Sequence, residues 1–140
     1  MNHPVAYRLS VRVYWEDTDA GGVVYYANYL RFLERARSDW LRALGVHQEA
    51  ERQRSGQVFV VHHVDASYLK PARLDDLLDV RVGVQEARSA SLTFAQSIWR
   101  GDTELLRARI RVACVAAASF KPQRLDPALL QRLTSAPLAC

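Results

Sequence analysis

Residues 7–15 alternate in character. Leu9, Val11 and Val13 fall on one side and Arg8, Ser10 and Arg12 on the other, a period of two that predicts a first strand from Tyr7 to Trp15. A short loop carrying Gly21 and Gly22 follows, and from Asn28 the period changes. Tyr29, Leu33, Ala36, Trp40 and Leu44 recur at helical spacing, flanked by Leu30, Phe32, Leu41 and Ala43, while Arg31, Arg35, Ser38 and Arg42 take the opposite side. The spacing predicts one long helix over 28–44. Its apolar arc covers roughly half the circumference, wider than a helix lying on a surface needs and suited to one half wrapped by a sheet. Arg37 falls inside that arc, and its alkyl stem is expected to lie along the core with its charged head reaching out. Gly45 ends the helix, and residues 47–55 form a polar, helical connector.

Beyond Gly56 the pattern predicts four more strands. The first, over 57–68, places Val58, Val60, His62, Val64, Ala66 and Tyr68 on one face, and the segment from Lys70 to Asp76 interrupts it with Pro71. In the second, Leu78, Val80, Val82 and Val84 alternate with Asp79, Arg81 and Gln85. The third runs over 90–99 to a turn at Arg100-Gly101-Asp102. The last, over 105–117, sets Leu106, Ala108, Ile110, Val112 and Cys114 against Arg107, Arg109 and Arg111. Short turns between successive strands predict antiparallel pairing of neighbours. Asp126 to Thr134 reads as a short closing helix with Asp126 as N-cap and Pro127 at its first position. The expected fold is α+β: one domain over 1–140, its core over about 7–120, with a single antiparallel sheet around one helix.

Composition narrows the chemistry. A length of 140 residues suits one domain, and 49% hydrophobic content suffices for a core. The net charge of +4 comes with scattered arginines, which favours phosphates on a small molecule or an acidic carrier protein over a nucleic-acid groove. Cys114 and Cys140 imply neither a disulfide framework nor a metal cluster, so a reduced compartment is the default. The purest apolar run, Val112 to Ala118, is far shorter than the ~20 residues of a membrane span. No leader pattern opens the chain, and a cytoplasmic protein is expected.

The chemistry concentrates between the first strand and the long helix. Asp17 and Asp19 precede the double glycine, and an apolar run leads into the helix. Glycines let the backbone approach a ligand, and helix-start amides suit a carbonyl oxygen that gains negative charge. A carboxylate facing an oxyanion site is one reading; an ordinary helix-capping Asp/Gly loop is the other. The sequence holds no G-x-S-x-G, H-E-x-x-H, P-loop or G-x-G-x-x-G pattern. His62 and His63 are adjacent in a strand and point to opposite faces, so they cannot chelate one metal. Cys114 lies on the apolar side of its strand as a buried thiol, the row Arg107, Arg109 and Arg111 reads as a solvated face, and Glu34 can pair with Arg37 or Ser38.

Three blocks carry a resemblance: Val11-Arg12-Val13-Tyr14-Trp15-Glu16-Asp17-Thr18-Asp19-Ala20-Gly21-Gly22-Val23-Val24-Tyr25, then Phe32-Leu33-Glu34-Arg35-Ala36-Arg37, then Tyr68-Leu69-Lys70-Pro71-Ala72-Arg73-Leu74-Asp75-Asp76. In these the sequence resembles the hotdog-fold acyl-CoA thioesterases of the 4-hydroxybenzoyl-CoA thioesterase superfamily, in particular the YbgC type associated with the Tol-Pal system. The resemblance implies a five-stranded sheet wrapped around one helix, sheets joined edge to edge in dimers, and active sites at the subunit interface of a dimer or tetramer. It implies Asp19 as the catalytic carboxylate and the backbone N–H of Tyr26 as the carbonyl-polarising donor. Many members of that type carry histidine where this chain has Tyr26; an amide role survives the change, an imidazole role does not.

Gly22, Val24 and Tyr25 are expected beside the substrate, with Val60 and Val61 along the acyl group and Arg88, Ser89 and Ser91 at the coenzyme A phosphates. The implied partner is an acyl-CoA substrate, with acyl carrier protein as the other carrier. No cofactor is implied, coenzyme A being part of the substrate, and neither nucleic-acid binding nor membrane insertion. A non-catalytic acyl-CoA or carrier-protein scaffold of envelope or lipid-synthesis machinery is the alternative. A hotdog dehydratase would need a placed His/Asp pair that the sequence does not show.

Overall fold

The computed structural model describes residues 5–135. Five antiparallel strands, β1 (Tyr7–Arg12), β2 (Gln57–Tyr68), β3 (Leu77–Ala87), β4 (Ser91–Arg100) and β5 (Thr103–Ala116), form one sheet in the order β1-β3-β4-β5-β2. The long helix α1 (Asn28–Ala43) packs on one face of it. Phe32, Leu33, Ala36 and Trp40 of the helix are buried against Val80, Val82, Phe94, Ile98 and Ile110 of the sheet, each large side chain contributing roughly 1.5–3 kcal/mol. Most of the arc predicted from the helical spacing is thus buried, with Leu30 and Leu44 half-buried at its margins and Ala43 exposed. Gly45, at φ +93°, turns the chain out of α1 while the Val46 N–H donates back to the Leu41 carbonyl at 2.8 Å, a left-handed cap that glycine adopts without strain. Two short helices, α2 (Gln48–Ser55) and α3 (Pro127–Ser135), follow α1 and close the chain; Leu129 and Leu133 of α3 join the same core. Cys140 lies outside the described residues.

Four features depart from the sequence expectations. First, β1 stops at Arg12 rather than Trp15, because the Tyr14 N–H turns inward to Asp17 Oδ2 at 2.9 Å and residues Trp15–Asp17 wind into a single 3₁₀ turn. Second, neighbours in sequence are not all neighbours in the sheet. Pairing of successive strands holds for β3–β4 and β4–β5, but β2 pairs with β5 and β1 with β3. Residues 69–76 therefore cross from one side of the sheet to the other, and they pass beneath the start of α1, where the Val24 N–H donates to Ala72 O at 2.8 Å and the Ala72 N–H to the Tyr29 hydroxyl at 2.9 Å.

Third, a bulge at His62 breaks the alternation of β2. Phe59 and Val61 before it, and Val64, Ala66 and Tyr68 after it, pair with Cys114, Val112, Ile110, Ala108 and Leu106, whose side chains face the helix. Val58 and Val60 consequently share the outer face instead of the face of Val64 and Tyr68, because one inserted residue reverses the phase. Fourth, Arg37 does not reach out. It is 9% exposed, and its guanidinium donates to Gln96 Oε1 at 2.9 Å, while Gln96 Nε2 donates to the Leu33 carbonyl at 3.0 Å. Burial pushes this guanidinium below the usual arginine range, with Glu34 acting in the opposite direction.

Candidate active site

The segment from Trp15 to Tyr29 separates the two aspartates into different environments. Asp17 is buried, at 5% exposure. Its Oδ2 accepts the Tyr14 N–H and its Oδ1 accepts Asn28 Nδ2, each at 2.9 Å, while its backbone carbonyl accepts the Tyr25 N–H at 3.0 Å. One side chain thereby ties the end of β1 to the first turn of α1, with its negative charge at the positive end of the helix dipole. Asp17→Ala would strand a backbone donor and an amide donor in the interior, and is expected to lower stability by about 2–3 kcal/mol. A urea titration with an unchanged slope would show it as a shift in midpoint.

Asp19 is exposed. Its N–H donates to Val23 O at 2.9 Å and its carbonyl accepts the Gly22 N–H at 3.0 Å, forming a tight reversal in which Gly22 has φ +80°. The Gly21 N–H donates to Asp19 Oδ1 at 2.8 Å, and a Cβ at Gly21 would stand 3.2 Å from that same oxygen. The double glycine has two distinct jobs: Gly22 supplies a backbone angle that side chains strain, and Gly21 leaves room for the carboxylate to lie back over the loop. So held, Asp19 lines a cleft of about 250 Å³ with Thr18, Tyr25, Asn28 and Arg31.

The helix start borders the same cleft. Among the described residues, neither the Tyr26 nor the Ala27 N–H donates to another protein group, so two amides at the positive end of α1 are available to an incoming oxygen. Tyr25 and Tyr26 are exposed. Their rings lie 4.9 Å apart, and Tyr68 on β2 stands 6.5 Å from Tyr26 and 5.5 Å from Tyr29. The Tyr68 hydroxyl donates to the Tyr26 carbonyl at 2.8 Å. Burial pushes this phenol, and that of Tyr29, above the usual tyrosine range. Neither Tyr68 nor Asn28 was assigned a site role from sequence. The only trace of one is that Tyr68 opens a block of the resemblance.

The other predicted site residues are spread along the molecule. Gly22 is at the loop tip, whereas Val24 is 3% exposed and packs into the core beneath the cleft. Val61 lines a separate groove of about 200 Å³ with Phe59, Glu34, Arg37 and Ser38, about 10–20 Å along α1 from its start at 1.5 Å per residue. Val60 lies on the opposite face of the sheet, paired with Ala113. Arg88, Ser89 and Ser91 form the β3–β4 turn; Arg88 is exposed and paired with Glu86, and its N–H donates to Ser91 O at 2.8 Å. β3 begins beside the cleft, where Leu77 pairs with Arg12, and ends 11 residues later at this turn, roughly 35 Å away. Within one chain, the loop carboxylate, the groove and the turn do not meet.

Cys114 is buried, and burial pushes its thiol above the usual range, as expected of an inert core sulfur. Arg107 and Arg109 of the basic row pair with Glu104 and Asp65 on the outer face of the sheet. Ser38 donates to Glu34, the pairing that the helical spacing allowed.

Residues 21–107, which include the glycine turn, α1, α2, β2, β3, β4 and the start of β5, match the thioesterase superfamily. This chain belongs to that superfamily. The thioesterase is 44% identical over 116 residues to the acyl-CoA thioesterase YbgC of Haemophilus influenzae, covering 83% of this chain and 85% of the other. To the acyl-CoA thioester hydrolase YbgC of Escherichia coli it is 42% identical over 125 residues, 89% and 92% of the two chains. The crystal structure of a probable thioesterase from Bartonella henselae superposes with a TM-score of 0.81 at 35% identity, covering 86% of this chain and all of that one. The thioesterase is therefore an enzyme of the YbgC type with the α+β hotdog fold anticipated from its sequence. Among its described residues, no helix is long and apolar enough to cross a membrane.

Proposed function

We propose that this thioesterase hydrolyses acyl-CoA esters to a free acid and coenzyme A, in a site that two copies of the chain build together. The observation that carries it is the Asp19 carboxylate, laid over the Gly21 amide at a cleft that Tyr25, Ala27 and Asn28 also line, with the undonated Tyr26 and Ala27 N–H groups at the helix start. A thioester carbonyl placed at the Tyr26 N–H gains negative charge as its carbon becomes tetrahedral, and the amide and helix dipole stabilise that charge. Asp19 supplies the other half, either by taking a proton from the attacking water or by attacking the carbonyl to form a mixed anhydride that water then opens. In both routes the C–S bond breaks, and the coenzyme A sulfur leaves as thiolate and is protonated. The Tyr26 side chain takes no part in this step, so tyrosine in place of histidine leaves the reaction intact.

The second copy follows from β2, which, among the described residues, has β5 on one side and no strand on the other. Its exposed Val61, Val64 and Tyr68 suit pairing with another strand better than facing water. Two copies joined antiparallel through β2 bring the Tyr68 end of one against the Gln57 end of the other, because a two-fold interface reverses the strand. The Phe59–Val61 groove and the Arg88, Ser89 and Ser91 turn of one copy then approach the Asp19 cleft of its partner, which gathers acyl, thioester and phosphate contacts that one chain keeps apart. Coenzyme A or an acyl carrier protein could present the acyl group, and a cytoplasmic setting suits both. Hydrolysis of a panel of short, long and aromatic acyl-CoA esters, followed by thiol release, is the direct test. Turnover of at least one class is the expected result, and binding without turnover across the whole panel would leave a scaffold.

A further inference from the structure

The largest of the cavities described, about 440 Å³, is far from the Asp19 cleft. It lies between the end of α1, α2, the start of β2 and α3, and its apolar lining is Val46, Val58, Phe59, Cys114, Leu125 and Leu129. Its volume is in the range of small-molecule sites, roughly 300–1,000 Å³. Phe59 and Gln48 also line the 200 Å³ groove that holds Val61, so the two spaces share a wall. We infer that this cavity is the far chamber of the acyl site, taking the distal methylenes of a long acyl chain that enters through the Val61 groove and passes Phe59. The inference rests on the thioesterase activity proposed above and names its substrate class as long-chain rather than short or aromatic.

The chemistry of the lining supports a hydrocarbon occupant. The charged side chains at the mouth are already matched: Arg52 pairs with Glu49, Glu51 with Arg54, Arg132 donates to the Leu44 and Ala128 carbonyls, and Asp126 accepts the Ala128 N–H. The thiol of Cys114 is directed at Gln57 Oε1, 3.7 Å away. Gln48 also lines the chamber and donates to Ser38 Oγ at 3.0 Å, and among the described residues no buried side-chain nitrogen or oxygen lacks a partner, so the polar groups around the apolar patch are engaged within the protein. The apolar wall from Val46 to Phe59, Leu125 and Leu129 can take up hydrocarbon, and each methylene transferred onto it raises affinity roughly fourfold. The smaller groove alone would be filled by a short acyl group. The chamber behind Phe59 gives a longer chain somewhere to go.

Two substitutions fill the chamber without touching the groove residues: Leu129→Trp on α3 and Val46→Trp after α1. Wild-type enzyme is expected to favour palmitoyl-CoA over acetyl-CoA in kcat/KM, and each variant to lower that ratio at least about tenfold, the equivalent of two displaced methylenes. Val46 is only half-buried, so its variant keeps the measurement available if Leu129→Trp does not fold. A palmitoyl-to-acetyl ratio unchanged in a folded variant overturns the inference. Binding of cis-parinaric acid, read by its fluorescence, separates this outcome from failure of the activity itself. If the wild type cleaves no ester of any length, tighter parinarate binding by wild type than by the filled variants still carries the chamber, and equal binding overturns it.

Discussion

Asp19→Asn is expected to lower kcat for acyl-CoA hydrolysis at least about 100-fold, or ~2.7 kcal/mol of barrier, with KM and melting temperature close to wild type. Asparagine preserves the volume and the oxygen that accepts the Gly21 N–H, so the loop keeps its shape. What disappears is the negative charge and the lone pair that either removes a proton or attacks the thioester. Because Asp19 is exposed, the change should cost stability no more than about 0.5 kcal/mol. The contrast with Asp17 is diagnostic: loss of the buried carboxylate should register first in the urea midpoint, loss of the exposed one first in turnover. Thiol release and a thermal melt on the same samples measure both. Wild-type turnover in folded Asp19→Asn would remove this carboxylate from the mechanism.

Gln96→Leu is expected to destabilise the fold by about 3–5 kcal/mol, the scale for a buried charge left without its partner. Arg37 enters the interior from α1, and Gln96 Oε1 at 2.9 Å is its hydrogen-bond acceptor there. Leucine fits the space but withdraws that acceptor, and it also releases the Leu33 carbonyl that Gln96 Nε2 now satisfies. The matched test is Arg37→Met with Gln96→Leu. Removing the charge together with its partner should restore most of the loss, giving a strongly non-additive cycle in urea denaturation. Additive effects of the two substitutions would mean that the pair is not coupled.

The same pair shows what the sequence could and could not disclose. Arg37 stands out in the sequence as an arginine inside the apolar arc of a helix, whereas the glutamine at position 96, among Leu92, Phe94 and Ile98, carries no reading of its own. That they answer one another depends on how far α1 slides along β4, a long-range quantity with no local signature. The helix itself was legible because sixteen residues of period 3.6, ended by a glycine, leave little choice. The strands were legible for the corresponding reason, and their order was not. Alternation reports that a segment is a strand with one buried face, but is silent about its neighbour, so the placement of β2 beyond β5 went unread. The His62 bulge escaped for a sharper reason: both halves of β2 are rich in apolar residues, and the phase can slip between them without an out-of-place charge to show it. At the site, the cluster of Asp17, Asp19, Gly21 and Gly22 was evident. The division of labour between the two carboxylates follows from their burial, which only the three-dimensional arrangement supplies.

The pairing of β2 with the final strand also governs the order in which the molecule can be made. During synthesis β2 is complete at Tyr68, but the strand that covers it ends at Ala116, about 2–10 seconds later at roughly 5–20 residues per second. Throughout that interval the run Val58-Phe59-Val60-Val61 leaves the ribosome with neither of its hydrogen-bonding edges satisfied. Slowing translation between codons 69 and 102 would lengthen that exposure, and a nascent chain halted there would be a ready client for chaperones that hold extended apolar segments.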